Sequence, residues 1–134
     1  MLATYGLRPH EIIQARVTEE GNCEIGEQTK TGFHIAWPCH ERWLNEFDLR
    51  DVSRPPQPVE KVEKAANLYL CRRGPVPWPL YSMRHAYAIR LFHKGVPSDI
   101  SARLMGHSET VHQVTYKRWY DAKNITKLRK FYTI

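Results

Sequence analysis

Apolar residues change their spacing along this chain, and the changes divide it into elements. Near the start, Leu2, Leu7, Ile12 and Ile13 supply the apolar positions while Gly6 and Pro9 bracket a turn. Residues 1–16 therefore read as the end of one helix, a turn and a second helical segment. Across residues 17–37 the period drops to two. Val17, Cys23, Ile25, Phe33, Ile35 and Trp37 fall among polar residues, and turn formers interrupt at Glu20, Gly21 and Asn22 and again at Thr31 and Gly32. That is the pattern of three short antiparallel strands, with the second turn presenting Lys30 at a hairpin tip. Pro38 ends the sheet.

Helical spacing then returns. Segments are expected near residues 40–48 and 58–72, joined by a stiff proline-rich connector at 53–58, and residues 72–79 form a second extended loop. A long helix over 80–93 carries Leu80, Met83, Tyr87 and Leu91 on one face at steps of three and four. Arg84 lies one position round from that stripe, at the edge of the buried face, so its loss should affect activity more than folding. Lys94 and Gly95 close this helix, and Pro97 suits the first turn of the next, which holds Ile100, Leu104 and Met105. Gly106 stops it, because glycine takes a left-handed helix terminus cheaply, and His107 is thrown out at a defined corner. Ser108 can cap a further helix carrying Val111, Val114 and Tyr116, and a basic segment at 123–130 finishes the chain. The fold class is α+β, mostly α-helical: one domain over 1–134, a small three-stranded antiparallel sheet packed beside a helical bundle. The chain opens inside a helical pattern without an N-cap, as a fragment of something longer would.

Composition narrows the function. A chain of 134 residues can bury its own core, and no apolar run is long enough for a membrane span, which makes the cytosol the default compartment. The three cysteines are too few and too scattered for a disulfide framework. His34, Cys39 and His40 lie close in sequence but lack a second ligand pair, so buried thiols and surface imidazoles are the reading, and no metal or cofactor is expected. Net charge is +6 and unevenly spread: residues 84–134 carry +7 and residues 1–83 carry −1. A basic end suits a polyanion, since each phosphate neutralised releases condensed counterions.

Candidate chemistry lies in five places. Gly6, Leu7, Arg8, Pro9, His10 and Glu11 hold Arg8; Thr29, Lys30, Thr31 and Gly32 hold Lys30; Ser82, Met83, Arg84 and His85 hold Arg84. Leu104, Met105, Gly106, His107 and Ser108 hold His107, and Tyr116 follows His107 by nine residues, while Arg84 precedes it by 23. In this order and context the chain resembles the catalytic domain of the tyrosine recombinase (phage integrase) family. The resemblance implies that Arg8 and Arg84 grip a DNA phosphate with His107 as a third donor, that Tyr116 attacks it, and that Lys30 protonates the departing 5′ oxygen. The residue types suit that work. Arginine stays charged and presents a planar fork to phosphate oxygens. A free phenol, with pKa ~10, is only ~0.1% ionised at neutral pH and needs a positive field or a base. Double-stranded DNA is the implied partner, with self-association on DNA as in the tetramers of full-length members, and no metal is required.

One position departs from the pattern. Tyr81 stands where the family has a histidine three residues before the second arginine; tyrosine can donate to a phosphate but is a poor base near neutrality. His85, next to Arg84, is expected to point elsewhere on the helix. The chain is expected to be a fragment without the family's separate N-terminal DNA-clamping domain. The alternatives are a catalytically weak or inert relic of an integrase that binds DNA or regulates, and a helix-turn-helix module spanning residues 89–116.

Overall fold

The computed structural model describes residues 1–26, 32–52 and 79–117, together with Lys61, Lys64, Ala65, Asn67 and Leu68. The hairpin tip with Lys30, the proline-rich connector at 53–58, the loop at 72–78, Tyr120 and the basic segment at 123–130 lie outside the described residues. Lys61, Lys64, Ala65, Asn67 and Leu68 are helical, within the segment expected at 58–72.

The opening pattern yields a one-turn helix, α1 (Leu2–Tyr5), closed by Gly6 at φ 65°, and then a 3₁₀ helix over Pro9–Gln14. Proline at the first position fits, because its missing N–H would have no partner there. Three strands follow as an antiparallel sheet in the order β1 (Ala15–Val17), β2 (Cys23–Ile25), β3 (His34–Ala36). The register aligns Ala15, Ile25 and His34 across the sheet, and likewise Val17, Cys23 and Ala36. Ala15, Cys23, Ile25 and Ala36 are buried, so His34 stands in an inward-facing row. The other face carries Arg16, Glu24 and Ile35, with Arg16 and Glu24 paired at 2.6 Å. Alternation therefore identifies β3 correctly but not its buried face: Phe33, Ile35 and Trp37 point out, at 42–53% exposure. Length explains this, since a three-residue edge strand is phased by its neighbours rather than by its own apolar residues.

Helix α2 (Arg42–Glu46) and a 3₁₀ turn at Leu49–Asp51 return the chain to the sheet. The second half holds α3 (Ser82–His93), α4 (Ser98–Leu104) and α5 (Glu109–Tyr116). Pro97 caps α4 from outside rather than occupying its first turn: it is extended at ψ 149°, and its carbonyl accepts the Ser101 N–H at 2.9 Å. Two apolar clusters form the core. Tyr5, Leu7, Leu44 and Leu49 cover the inner sheet face, while Tyr87, Leu91, Leu104, Met105 and Tyr116 join the three long helices. Each such side chain, fully buried, contributes about 1.5–3 kcal/mol. Tyr87 links the halves, its hydroxyl donating to the Trp37 carbonyl at 2.8 Å and its ring lying against Gly6. A Cβ on Gly6 would come within 2.3 Å of that ring, so this glycine is required by packing as well as by its positive φ. Among the described residues no helix is long and apolar enough to cross a membrane.

Candidate functional site

Arg8 begins the site at the mouth of the first 3₁₀ helix. The Glu11 carboxylate folds back over it, accepting the Arg8 backbone N–H at 2.7 Å and its Nη1–H at 2.8 Å. Glu11 is fully buried and Arg8 is 18% exposed, so the acid is covered while the guanidinium keeps one side open. A buried carboxylate without that partner would be strongly unfavourable.

Arg84 is not at the edge of the buried face; it is 2% exposed. Its Nη1–H donates to the Gly6 carbonyl at 2.7 Å and its Nη2–H to the Met105 carbonyl at 2.6 Å. The side chain thus ties the loop before Arg8 to the corner before His107. Helical periodicity marks the centre of an apolar stripe, but a long side chain one step away can still be drawn inward when carbonyls wait there. The expectation that Arg84 matters little to folding is therefore corrected.

That corner is a Schellman motif. Gly106 lies at φ 65°, its N–H bonds the Arg103 carbonyl, and the His107 N–H bonds the Ala102 carbonyl, both at 3.1 Å. The bare Cα also admits His34, since a Cβ on Gly106 would lie 2.6 Å from the His34 ring. Gly106→Ala is expected to cost about 1–2 kcal/mol through the left-handed backbone alone, plus displacement of His34. A melting curve checks this; a change under one degree would contradict it.

Ser108 caps α5 by accepting the Val111 N–H at 3.2 Å. The buried face of α5 is His112 and Tyr116, one turn apart, whereas Val111 and Val114 are 50% and 75% exposed. His112 reaches back so that its Nδ1 meets His107 Nε2 at 2.9 Å. Tyr116, 4% exposed, ends the helix among three imidazoles, with ring centroids 4.8 Å from His112, 5.6 Å from His85 and 6.4 Å from His107. Its hydroxyl lies 3.1 Å from His85 Nδ1. His85 does not point elsewhere: it stacks edge-on at 5.2 Å against Tyr81, the residue that precedes α3, and bridges to Tyr116. Tyr81 itself is 39% exposed beside it.

The electrostatics follow from burial among cations. His107 is pushed down to about 3, first by burial and then by Arg84, His112, Arg8 and His34. Burial likewise lowers His34, against the pull of Glu11, and lowers His112. These imidazoles are neutral at pH 7, donors and acceptors rather than charges. Below the ~6.5 of a free imidazole, the unfolded chain takes up protons that the folded chain refuses. Stability should therefore be full above that pH and fall progressively towards pH 3. The acid slope of the melting temperature should be shallower in His107→Gln; an unchanged slope would contradict this.

The structure thus brings Arg8, Arg84, His107 and Tyr116 together, with Tyr81 at the rim, while Lys30 lies outside the described residues. Sequence reasoning missed His34, His85 and His112. His85 carried a legible signal, four residues after Tyr81, and His112 another, four before Tyr116. His34, Cys39 and His40 part company: Cys39 is buried with its thiol towards the Ala3 carbonyl, and His40 packs on Trp43.

Comparison with known proteins gives two relatives. The chain is similar to excisase A of Nostoc sp. (strain PCC 7120), with 32% identity over 141 residues covering 90% of this chain and 30% of the relative. Excisase C of the same organism is 31% identical over 150 residues, covering 95% of this chain and 29% of the relative. No family model matches the chain, and no solved structure matches it. The chain spans less than a third of the length of the curated relatives it matches.

Proposed function

We propose that this protein acts in site-specific DNA excision or recombination, with Tyr116 attacking a DNA phosphodiester to give a 3′-phosphotyrosyl intermediate. The names of the two relatives support the process. The observation that carries the mechanism is the assembly around Arg84, whose guanidinium ties the Gly6 carbonyl, two residues before Arg8, to the Met105 carbonyl, two before His107, and whose charge reaches Tyr116. Arg8 and His107 then contact the phosphate oxygens. Arg84, with two guanidinium hydrogens on carbonyls, sets their spacing and supplies positive field for the anion that builds up in the transition state. Lys30 protonates the 5′ oxygen as it leaves, as the family resemblance implies. Double-stranded DNA is the partner, drawn by the basic second half, and copies of the protein associate on it.

The burial of Tyr116 favours a second reading, an inert descendant that holds DNA without cutting it. One experiment separates the two. A pool of short duplexes of random sequence, each carrying a nick, is incubated with the protein and then denatured. DNA that stays attached, mapping to Tyr116, supports the enzyme; retention on native gels with no denaturation-resistant adduct supports the inert binder and removes the mechanism.

A further inference from the structure

The departure at Tyr81 leaves a chemical gap. A phenol that attacks phosphorus must lose its proton, and tyrosine in place of histidine cannot take it near neutral pH. The imidazole that meets the Tyr116 hydroxyl is instead on His85, one helical turn beyond Tyr81 on α3, with Nδ1 at 3.1 Å. This is within the range required of a general base. The other rings around Tyr116 are engaged otherwise. His112 lies closer by centroid, but its Nδ1 faces His107 Nε2 at 2.9 Å, and that contact occupies one nitrogen of each ring. His107 is moreover held near 3, too weak to hold a proton at pH 7. Arg84, whose charge reaches Tyr116, favours the phenolate once the proton has gone.

We infer that His85 is the catalytic base of this protein, accepting the Tyr116 proton at Nδ1 in the role that the residue at Tyr81 cannot fill. The inference rests on the enzyme reading above. As Tyr116 Oη bonds to phosphorus and the P–O5′ bond breaks, the hydroxyl proton moves to His85 Nδ1, and Lys30 gives a proton to the 5′ oxygen. On rejoining, the incoming 5′ hydroxyl returns a proton to Lys30, and the His85 imidazolium reprotonates Oη. The neutral base carries its proton on Nε2, and Tyr81 stacks on its ring to fix the orientation. Tyr81 is then a positioning residue rather than a failed base.

The test is the single-turnover rate of adduct formation on a nicked duplex selected as above. His85→Gln keeps a side-chain acceptor for the hydroxyl but cannot take its proton, and should slow the adduct ~10²-fold or more, the usual scale for losing a general base. His85→Asn serves as the second variant, and a melting curve confirms that each is folded. Replacing the 5′ bridging oxygen with sulfur gives a leaving group that needs no acid. It should rescue Lys30→Ala and leave His85→Gln slow. A His85→Gln rate within a few-fold of wild type, or its rescue by the sulfur substrate, overturns the assignment. These results bear on His85 alone if wild type forms the adduct and Tyr116→Phe does not; if wild type forms none, the enzyme reading falls and the base with it.

Discussion

Tyr116→Phe should abolish the covalent protein–DNA adduct and leave the fold and most of the DNA affinity in place. The proposed nucleophile is one oxygen, and phenylalanine keeps the ring that packs against His85, His107 and His112. Losing the contact with His85 Nδ1 should lower stability by about 1 kcal/mol, the usual net worth of one hydrogen bond. Binding to DNA depends on charge and should change little, because one hydroxyl adds almost nothing to counterion release. The competitor is Tyr120, four residues further along the sequence. The choice of Tyr116 rests on His107, which must serve the same phosphate and whose ring lies 6.4 Å from that of Tyr116. Tyr120→Phe should accordingly keep the adduct. Denaturing electrophoresis with peptide mapping checks both; DNA found on Tyr120 would identify a different nucleophile.

Arg84→Ala should lose activity and stability together. The guanidinium is 2% exposed and donates to two carbonyls, and its removal leaves the Gly6 and Met105 oxygens without that partner. Hydrogen bonds from a charged group contribute about 1.5–3 kcal/mol each, so a loss of several kcal/mol is expected, a large share of a small domain's stability. Arg84→Lys is the sharper variant. A single ammonium lacks the planar fork that spans both carbonyls, so the loops of Arg8 and His107 should drift relative to one another. Cleavage should fall ~10²-fold or more even at temperatures where the variant stays folded, as when one donor to a developing anion is lost. Urea titration beside the adduct assay measures both. A lysine variant that melts early but cleaves normally while folded would show Arg84 to be architectural only.

The elements were legible in the sequence wherever one physical cause dominated. Glycine at Gly6 and Gly106, proline at Pro9 and Pro97, and the serine at Ser108 marked turns and caps that depend on local backbone chemistry. The three strands were legible from period two, and the five separated motifs led to Arg8, Arg84, His107 and Tyr116. What escaped depends on contacts between elements. The inward face of β3 is settled by its register with β2, which turns His34 in and Phe33 and Ile35 out. The depth of Arg84 follows from two carbonyls supplied by segments remote in sequence. The inward turn of His85 and His112 needed the crossing of α3 and α5, and polar residues on a buried face leave no apolar stripe to follow.

The bond from Arg84 to Gly6 joins residues 78 apart, and the bond to Met105 joins residues 21 apart. Closing a loop of the first kind carries an entropy penalty that local helices avoid, so it belongs late on the route to the native state. A contact made after the folding barrier is crossed changes how fast a protein comes apart rather than how fast it forms. In stopped-flow measurements Arg84→Lys should therefore leave the refolding limb nearly unmoved and raise the unfolding rate. Among the described residues, the assembly around Arg84 would then lock last and open first, so that loss of the proposed activity on warming should run ahead of loss of helix.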